Sequence, residues 1–396
     1  MRPEKYCFAC MEELPHEGCV CPQCGYDNSV RVNGLGVLPP MVLADQYIVG
    51  KTLGRGGFGI TYIGRDYLER IVAIKEYFPG EMVNREEQTN RVSAYDECEN
   101  DFEEGKRRAQ REGKTLIDLV GIPGIVKVYT ALPHNNTVYI IMEYVKGITL
   151  GKLVKQRGGR LGWEEAFNLI KPIMVTLQAI HEAGFIHRDV SPDNIMIRAS
   201  NGEPVLLDFG AAYQYERKGS HSVTLKDGYS PTEQYLPNAK LDGRTDEYAL
   251  CATIYYAITG QKPPVSNAVL LGEEEIVPPS QLGADISLEI ESVLLRGLAV
   301  QKVDRYESIK ALREAFTEAM SESKTIGIKR EKTVQKVNEP SYEKEKPNQK
   351  EQVRFMTEDI RKYFPKNYSN KDMQQTIIKL LENWQRKRER NAREER

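Results

Sequence analysis

Three polar side chains lie close together in the sequence and could jointly hold a metal-bound phosphate. Asp189 follows His187-Arg188, Asn194 comes five residues later, and Asp208 begins the segment Asp208-Phe209-Gly210. Carboxylate and amide oxygens suit Mg²⁺, and a further carboxylate can orient an attacking hydroxyl group. These residue types in this order favour transfer of a phosphoryl group from a Mg²⁺-bound nucleotide.

A glycine-rich segment and a lysine lie upstream and could meet the phosphates. Gly54, Gly56 and Gly59 let backbone N–H groups approach an anion, and Lys75 ends the apolar run 71–74. The same glycine spacing occurs in dinucleotide-binding folds, where a helix follows it. Here the flanking residues alternate between apolar and polar, which predicts a strand hairpin instead.

Together these segments resemble the bacterial, eukaryotic-like family of serine/threonine protein kinases. The resemblance covers about residues 47 to 319 and implies an α+β, two-lobed fold with a small β-rich N-lobe and a larger α-helical C-lobe. It implies that Asp189 orients the substrate hydroxyl, and that Asn194 and Asp208 bind Mg²⁺. The ATP phosphates would then contact Lys75 and the glycine-rich loop.

The nucleotide base also has an expected site. The apolar run from Val138 to Val145 predicts a buried strand followed by a hinge. The resemblance implies that the backbone of Glu143 and Val145 hydrogen-bonds adenine, with Met142 behind it. The same run could also be ordinary core.

Lys75 needs an acidic partner, which the resemblance places on the next helix. Glu103 and Glu104 are candidates, but Glu112 shares a helical face with nearby apolar residues and is the predicted partner. A solvated helix glutamate remains the alternative, because the connection at 81–100 is longer than usual. Residues 125–129 are expected to form the next strand.

Ser191 departs from the family pattern, because most serine/threonine kinases carry lysine two residues after the catalytic aspartate. Serine brings no positive charge to the γ-phosphate, so that charge must come from Lys75 and the metal ions, or transfer is slower. Two alternatives to a protein kinase therefore stay open. One is a small-molecule phosphotransferase, and the other is a nucleotide-binding pseudokinase scaffold without transfer.

The segment Gly228–Tyr235 resembles the end of a kinase activation loop. Glu233 is expected to form an ion pair with Arg305, and Asp246 is expected to brace the catalytic loop. The preceding residues 211–227 contain serines, a threonine and several basic residues. Phosphorylation could order this loop, although serine and threonine are common in loops without any regulatory role. The candidates are Ser220, Ser222 and Thr224.

Four cysteines near the start form two C-x-x-C pairs ten residues apart, a pattern typical of tetrahedral Zn²⁺ coordination. They are Cys7, Cys10, Cys21 and Cys24. Cys19 or His16 could replace one ligand, and free or oxidised thiols are the alternative reading. A segment this short cannot build a hydrophobic core of its own. Metal binding is therefore expected to supply most of its folding energy.

Composition adds limits on partners and location. The 396-residue chain has a net charge of −2, which argues against general nucleic-acid binding. No apolar stretch predicts a membrane span or signal peptide, so a cytoplasmic protein is expected. The expected partners are ATP and protein substrates, with self-association or another protein bound through the ribbon or the C-terminal helices. The predicted domains are a zinc-ribbon-like segment at 1–30, a linker at 31–46, the kinase domain at 47–319, a charged disordered linker at 320–352 and an amphipathic helical tail at 353–396.

Overall fold

The computed structural model describes residues 2–29, 36–37, 39, 41–57, 59–86, 88–119, 121–209, 213–214, 225–236 and 239–327. The chain divides into two compact units, Met1–Tyr213 and Gln214–Arg396. Among the residues that the structure describes, no helix combines the length and apolar character needed to cross a bilayer. The predicted tail helices at 353–396 and the candidate phosphorylation sites at 220–224 lie outside the described residues.

After the cysteine segment, the first unit contains a six-stranded antiparallel sheet in the order β1-β2-β3-β4-β8-β7. The first four residues of β2 and the first five of β8 are all buried, so both faces of the sheet are covered along these stretches. The elements of this part are β1 (Met41–Leu43), β2 (Tyr47–Gly56), β3 (Gly59–Asp66), β4 (Ile71–Tyr77), β5 (Val83–Arg85), β6 (Val92–Ala94), α1 (Glu99–Asp118), β7 (Val128–His134) and β8 (Thr137–Glu143). The predicted hairpin around the glycine-rich segment is therefore present as β2 and β3.

Two parts of this sheet region differ from the expectation. The strand expected at 125–129 begins only at Val128, and residues 81–100, expected to be a long connection, contain the hairpin β5–β6. A buried polar network ties that hairpin to β4. Glu76 is fully buried and accepts hydrogen bonds from Tyr62 (2.7 Å), Tyr139 (2.6 Å) and Arg85 (2.6 Å). Arg85 is the donor that lies in the hairpin, so its ion pair with Glu76 ties β5 to β4.

Helix α1 packs closely on the sheet because it carries two glycines. A Cβ atom at Gly105 would lie 1.8 Å from the Tyr77 hydroxyl, and one at Gly113 would lie 2.4 Å from the Ala131 Cβ. Each glycine costs the helix about 1 kcal/mol relative to alanine. The cost is offset because the helix can approach β4 and β7 closely at these two positions. This close approach sets the distance between Glu112 on the helix and β4.

The rest of the first unit brackets the catalytic loop with short strands. Its elements are β9 (Gly147–Thr149), α2 (Leu150–Gln156), α3 (Trp163–Glu182), β10 (Phe185–Ile186), β11 (Ile195–Arg198) and β12 (Pro204–Leu206). Strands β12, β11 and β9 form an antiparallel sheet in that order. Residues 187–194 are thus fixed at both ends, by β10 and by β11.

The second unit is helical in the part that the structure describes. After β13 (Tyr213–Gln214), at which the two units meet in sequence, its helices are α4 (Gly243–Thr259), α5 (Ser266–Leu270), α6 (Leu288–Gly297) and α7 (Ile309–Gly327). Asp242 caps α4 by accepting a hydrogen bond from the Arg244 N–H at 3.0 Å. Gly260 ends that helix with a φ of 75°, a conformation that glycine adopts without strain.

Candidate active site and N-terminal cysteine cluster

Lys75 forms the centre of a charged site within the first unit. Its Nζ lies 3.5 Å from the Glu112 Oε1 and makes a closer contact with the Asp208 Oδ1. The rival glutamates pair elsewhere, Glu103 with Lys106 and Glu104 with Arg108. The predicted ion pair between β4 and α1 is therefore present.

The electrostatics keep Lys75 protonated. Burial acts to lower the pKa of Lys75, but the carboxylates of Asp208 and Glu112 outweigh it and raise the pKa above its usual value. Burial raises the pKa of Glu112, and the neighbouring Lys75 only partly offsets this. The Lys75 side chain is still 22% exposed, so a permanent cation remains accessible to an anionic ligand.

The glycines of the β2–β3 turn serve two different purposes. A Cβ at Gly54 or Gly56 would meet no atom within 4 Å, so protein packing does not require glycine at either position. A Cβ at Gly59 would lie 2.5 Å from the Glu76 carbonyl oxygen in β4. Gly59 therefore permits strand packing, whereas Gly54 and Gly56 leave the backbone uncovered, as an approaching phosphate would need.

The catalytic loop is braced by its own residues. The Asn194 Nδ2 donates to the Asp189 carbonyl oxygen at 2.8 Å, and the Asn194 N–H donates to the Ser191 carbonyl at 3.0 Å. Because the amide nitrogen is used in this way, the Asn194 oxygen is the atom suited to a cation. Ser191 is fully buried, so the residue replacing the usual lysine is part of the packed loop.

His187 links this loop to the segment before Asp208. Its Nε2 lies 3.0 Å from the Leu207 carbonyl oxygen, and its Nδ1 accepts from the Asp189 N–H at 3.3 Å. Both contacts are satisfied when the ring proton is on Nε2. The His187 ring also meets the Phe209 ring edge-on, with centroids 4.6 Å apart. The two carboxylates of the site are thus positioned by a common side chain.

Two site residues have unusual backbone conformations. Arg188 has a φ of 64° and Asp208 a φ of 55°, in the left-handed region that residues other than glycine rarely adopt. Such conformations cost about 1–3 kcal/mol and persist where surrounding contacts hold them. One of these residues directly precedes Asp189, and the other is the predicted Mg²⁺ ligand Asp208.

The two hinge residues have different surroundings, polar for the Glu143 side chain and apolar for Val145. The Glu143 carboxylate accepts a hydrogen bond from the Arg198 Nη1 at 2.6 Å, which ties the end of β8 to β11. Burial raises the pKa of Glu143, but Arg198 outweighs this and lowers it. Val145 is buried with Val126 and Val205, in a cluster with the partly buried side chains of Met142, Met196 and Leu207. No sequence signal indicated the contribution of Arg198.

The four predicted zinc ligands converge. The Sγ atoms of Cys7, Cys10, Cys21 and Cys24 all lie within 4.8 Å of one another. The pairs Cys7–Cys24 and Cys10–Cys21 are 3.6 and 3.7 Å apart, close to the separation of about 3.8 Å that a tetrahedron with 2.3 Å Zn–S bonds requires. Cys19 and His16, the alternative ligands, are not members of this group. The donor set fits Zn²⁺.

The local surroundings differ among the four thiols, and one asparagine links their two turns. Burial raises the pKa of the Cys10 and Cys24 thiols. Burial also acts to raise the pKa of Cys21, but the backbone N–H groups of Cys24 and Gln23 outweigh it and lower the pKa to about 7. Asn28 joins the two C-x-x-C turns by accepting from the Phe8 N–H at 2.9 Å and donating to the Cys19 carbonyl at 2.9 Å.

The cysteine segment also packs on the sheet, in addition to the metal binding that is expected to supply most of its folding energy. Met11 is fully buried in a cluster with Ile48 of β2 and Ile63 of β3. The Phe8 carbonyl accepts a hydrogen bond from the Lys51 N–H at 2.6 Å. Protein packing therefore shares in stabilising the segment.

In the second unit, the predicted pair of Glu233 and Arg305 is present. The Arg305 Nη1 and Nη2 donate to the two Glu233 oxygens at 2.7 and 3.1 Å, and both side chains are buried. Asp246 is fully buried in α4. That Asp246 braces the catalytic loop remains a prediction.

Comparison with known proteins agrees with this geometry. The family model described as "Protein kinase domain" matches residues 47–391. The chain is 34% identical over 289 residues to the serine/threonine-protein kinase PknB of Mycolicibacterium smegmatis, covering 69% of this chain and 43% of the relative. It is 29% identical to the probable serine/threonine-protein kinase CPE1738 of Clostridium perfringens, covering 68% of this chain and 38% of that protein. The chain thus spans less than half the length of these curated relatives.

Solved structures show the same fold. The structure titled "PpkA-294 apo form" matches with a TM-score of 0.62 and 29% identity, covering 72% of this chain and all of that chain. The Mycobacterium tuberculosis PknI kinase domain, 24% identical with a TM-score of 0.51, shows likeness of fold. The chain belongs to the protein kinase family, and the two relatives named above are bacterial serine/threonine kinases. The expected two-lobed kinase fold is confirmed.

Proposed function

We propose that this protein transfers the γ-phosphate of ATP to serine and threonine hydroxyls of proteins, including its own. The observation that carries the proposal is the placement of Lys75 between Glu112 and Asp208. A cation held between two carboxylates, beside a braced loop that carries Asp189, fits phosphoryl transfer.

Each site residue then has a definite task. Lys75 binds the phosphates that the uncovered backbone at Gly54 and Gly56 approaches from the β2–β3 turn. Asp189 accepts a hydrogen bond from the substrate hydroxyl and orients it, and later takes its proton. Asn194 and Asp208 would hold Mg²⁺, which neutralises charge developing on the phosphate oxygens when it is bound.

The apolar cluster at the hinge suits the base of the nucleotide. Val145 and the partly buried Met142 and Met196 offer apolar surface on which adenine can stack. The Glu143 side chain is engaged with Arg198 and its N–H donates to the Lys127 carbonyl at 2.8 Å. The Glu143 carbonyl and the Val145 backbone are therefore the groups proposed to hydrogen-bond the base. This division between apolar walls and few polar contacts is typical of small-molecule sites.

A protein substrate is favoured over a small molecule by the second unit. The segment ending at Tyr235 contains a short helical turn, Thr232–Tyr235, anchored through the buried Glu233–Arg305 pair. Such a segment shapes the peptide platform of protein kinases, and the relatives' names specify protein substrates.

The direct test is transfer of γ-phosphate label from ATP with Mg²⁺ to the protein itself and to a generic basic protein. Wild type is compared with Asp189→Asn and Asp208→Asn, and labelled residues are mapped. Label on serine or threonine in the wild type, lost in both variants, is the expected result. Tight ATP binding with no label in the wild type would overturn the proposal and favour the scaffold reading.

The N-terminal thiols are proposed to hold one structural Zn²⁺. Their convergence to within 4.8 Å supports this. A reduced four-thiol site belongs to a reducing compartment, so a cytoplasmic location is proposed with it. We also propose that the ribbon or the C-terminal helices bind a second copy of the chain or another protein. The domain boundaries predicted from the sequence are retained as part of this proposal.

A further inference from the structure

The two cysteine turns have the same backbone geometry but different residues at one position. In the second turn the Gly25 N–H donates to the Cys21 carbonyl at 2.8 Å, and Gly25 has a φ of 73°. In the first turn the Met11 N–H donates to the Cys7 carbonyl at 2.8 Å, and Met11 has a φ of 62°. A left-handed conformation suits glycine and strains methionine. The first turn thus keeps a side chain where its counterpart has none.

The Met11 side chain fills a space on the nucleotide-binding sheet. Met11 is fully buried against Ile48 and Ile63, with Tyr144 of the hinge packed on the same cluster. A Cβ at Gly50 would lie 2.1 Å from the Met11 Cε and 2.5 Å from the Phe8 carbonyl oxygen. The absence of a side chain at Gly50 therefore makes room for the cysteine turn. The strained backbone of Met11 is found where its side chain packs against β2 and β3, far away in the sequence.

Polar contacts fix the same interface. The Lys51 N–H donates to the Phe8 carbonyl at 2.6 Å, at a point where the β2–β3 ladder is irregular between Val49 and Thr52. The Arg65 Nη1 donates to the Met11 carbonyl at 2.7 Å. The Arg65 guanidinium also lies 4.4 Å from the centroid of the Tyr6 ring. The first cysteine turn thus completes hydrogen bonding of β2 and binds β3 as well.

The contacts lie next to the elements that would hold the nucleotide. Lys51 is three residues before Gly54 on the continuous strand β2, and Tyr144 directly follows Glu143 in the hinge. We propose that the zinc-loaded first cysteine turn, acting through Met11, is a clamp that positions the glycine-rich strands for ATP. Met11 is a positioning residue in this account, and zinc occupancy regulates nucleotide affinity.

The clamp rests on the proposed zinc and ATP sites, and its energetics follow from linkage. Zinc orders the turn that presents Met11 and Phe8, so the loaded chain binds nucleotide more tightly than the metal-free chain. Couplings between protein sites are typically about 5- to 150-fold in affinity. By reciprocity, ATP must tighten zinc binding by the same factor that zinc tightens ATP binding.

The test measures the ATP dissociation constant of the intact, reduced chain with and without zinc, using calorimetry with Mg²⁺–ATP. Wild type is expected to bind ATP at least about fivefold more tightly when loaded. The key variant is Met11→Gly, which removes the docking side chain and also relieves the strained backbone. It should keep one zinc per chain, because Gly25 shows that glycine suits this turn. Its zinc-dependent ratio, the ATP dissociation constant of the metal-free chain divided by that of the loaded chain, should nevertheless fall close to one.

Two further variants separate positioning from general stability. Met11→Leu keeps an apolar side chain and should retain most of the zinc dependence. Val20→Ala changes an exposed side chain of the same segment and should behave as wild type. Hydrogen exchange along β2 and β3 should rise on metal removal in wild type and be high in Met11→Gly regardless of zinc.

The outcomes distinguish the clamp from the proposals beneath it. Equal ATP affinity in loaded and metal-free wild type would overturn the clamp while leaving the zinc site intact. A Met11→Gly chain that kept the wild-type ratio would also overturn it. A chain that bound no zinc would overturn both the clamp and the zinc proposal. Loss of phosphate transfer with an intact zinc-dependent ratio would leave the clamp standing and reject the kinase activity.

Discussion

Lys75 and Arg305 are both paired with carboxylates. The Lys75 pair is open, meaning partly exposed to solvent, and the Arg305 pair is closed, meaning fully buried. The Arg305 guanidinium, fully buried, uses all five of its N–H donors. Two go to Glu233 and three to backbone carbonyls of Ala299, Arg244 and Val300. The described contacts of Lys75 use two of its three donors, and its partner Asp208 is 40% exposed.

The difference separates a structural ion pair from one suited to a ligand. Arg305 has no donor left, and a buried pair with every bond made mainly fixes local geometry. Lys75 can exchange or add an anionic partner without breaking a packed core. The comparison yields variants whose effects on stability and on activity should diverge.

Removing the closed pair should have the largest effect on stability. Arg305→Ala leaves the Glu233 carboxylate buried without its charged partner, and the free energy of unfolding should fall by about 3–5 kcal/mol. The measurement is urea unfolding of the intact chain. The matched control is Arg305→Met with Glu233→Gln, which removes both charges and should recover much of the loss. A loss below about 1 kcal/mol, typical of exposed pairs, would contradict the closed-pair reading.

Removing the open cation should affect activity instead. Lys75→Met should lower kcat/KM for phosphate transfer by about 10²–10³-fold, as removal of one stabilising donor does in other active sites. The unfolding midpoint should change little, because the lysine is partly exposed. Steady-state kinetics and urea unfolding on the same preparation check both parts. A large fall in stability with unchanged transfer would reverse the assignment of the two pairs.

Neutralising the helix partner of Lys75 should have a smaller effect. In Glu112→Gln, Lys75 keeps its contact with Asp208, so transfer should fall by only about three- to tenfold, matching the loss of a partly exposed pair of about 1 kcal/mol. Glu104→Gln, on the same helix but paired with Arg108, is the control and should be silent. Kinetics would contradict this role if both variants behaved alike.

A separate effect concerns the pH dependence of stability and the surroundings of Arg305. Burial raises the pKa of Glu247 to about 8, although the Tyr306 N–H and Arg305 act against it. The unfolded chain ionises this group near pH 4.5, so the folded state holds the extra proton between these values. Stability should therefore fall as pH rises from about 4.5 to about 8.

Glu247→Gln tests that pH dependence directly. Because glutamine does not ionise, the variant should lose less stability than the wild type over the same interval. Urea midpoints measured across the interval give the comparison. Identical pH profiles for wild type and variant would show that Glu247 is ionised in the folded chain.

Sequence patterns predicted the contacts that motifs encode and missed those made by long-range packing. Lys75–Glu112 and Glu233–Arg305 could be paired because their spacing matches a known family. The hairpin β5–β6 was missed because its strands are only three residues long and their anchor, Glu76, lies in another strand. Arg198 gave no signal, since its partner Glu143 is distant in sequence.

The cysteine segment shows the same limit. Spacing of the thiols was enough to predict their convergence, because metal coordination depends on few atoms at fixed distances. Docking of Met11 beside Gly50 depends on shape complementarity between segments far apart in the chain. A methionine after a C-x-x-C pair gives no indication of such a contact.

The most direct test of the central claim separates nucleotide binding from transfer at Asp189. Asp189→Asn keeps the size of the side chain and the backbone contact with Asn194, so the variant should bind Mg²⁺–ATP as tightly as the wild type. In a single-turnover experiment with pre-bound labelled ATP, label transfer to serine or threonine should be lost in this variant alone. Equal transfer rates in the two proteins would contradict the assignment of phosphoryl transfer to this site.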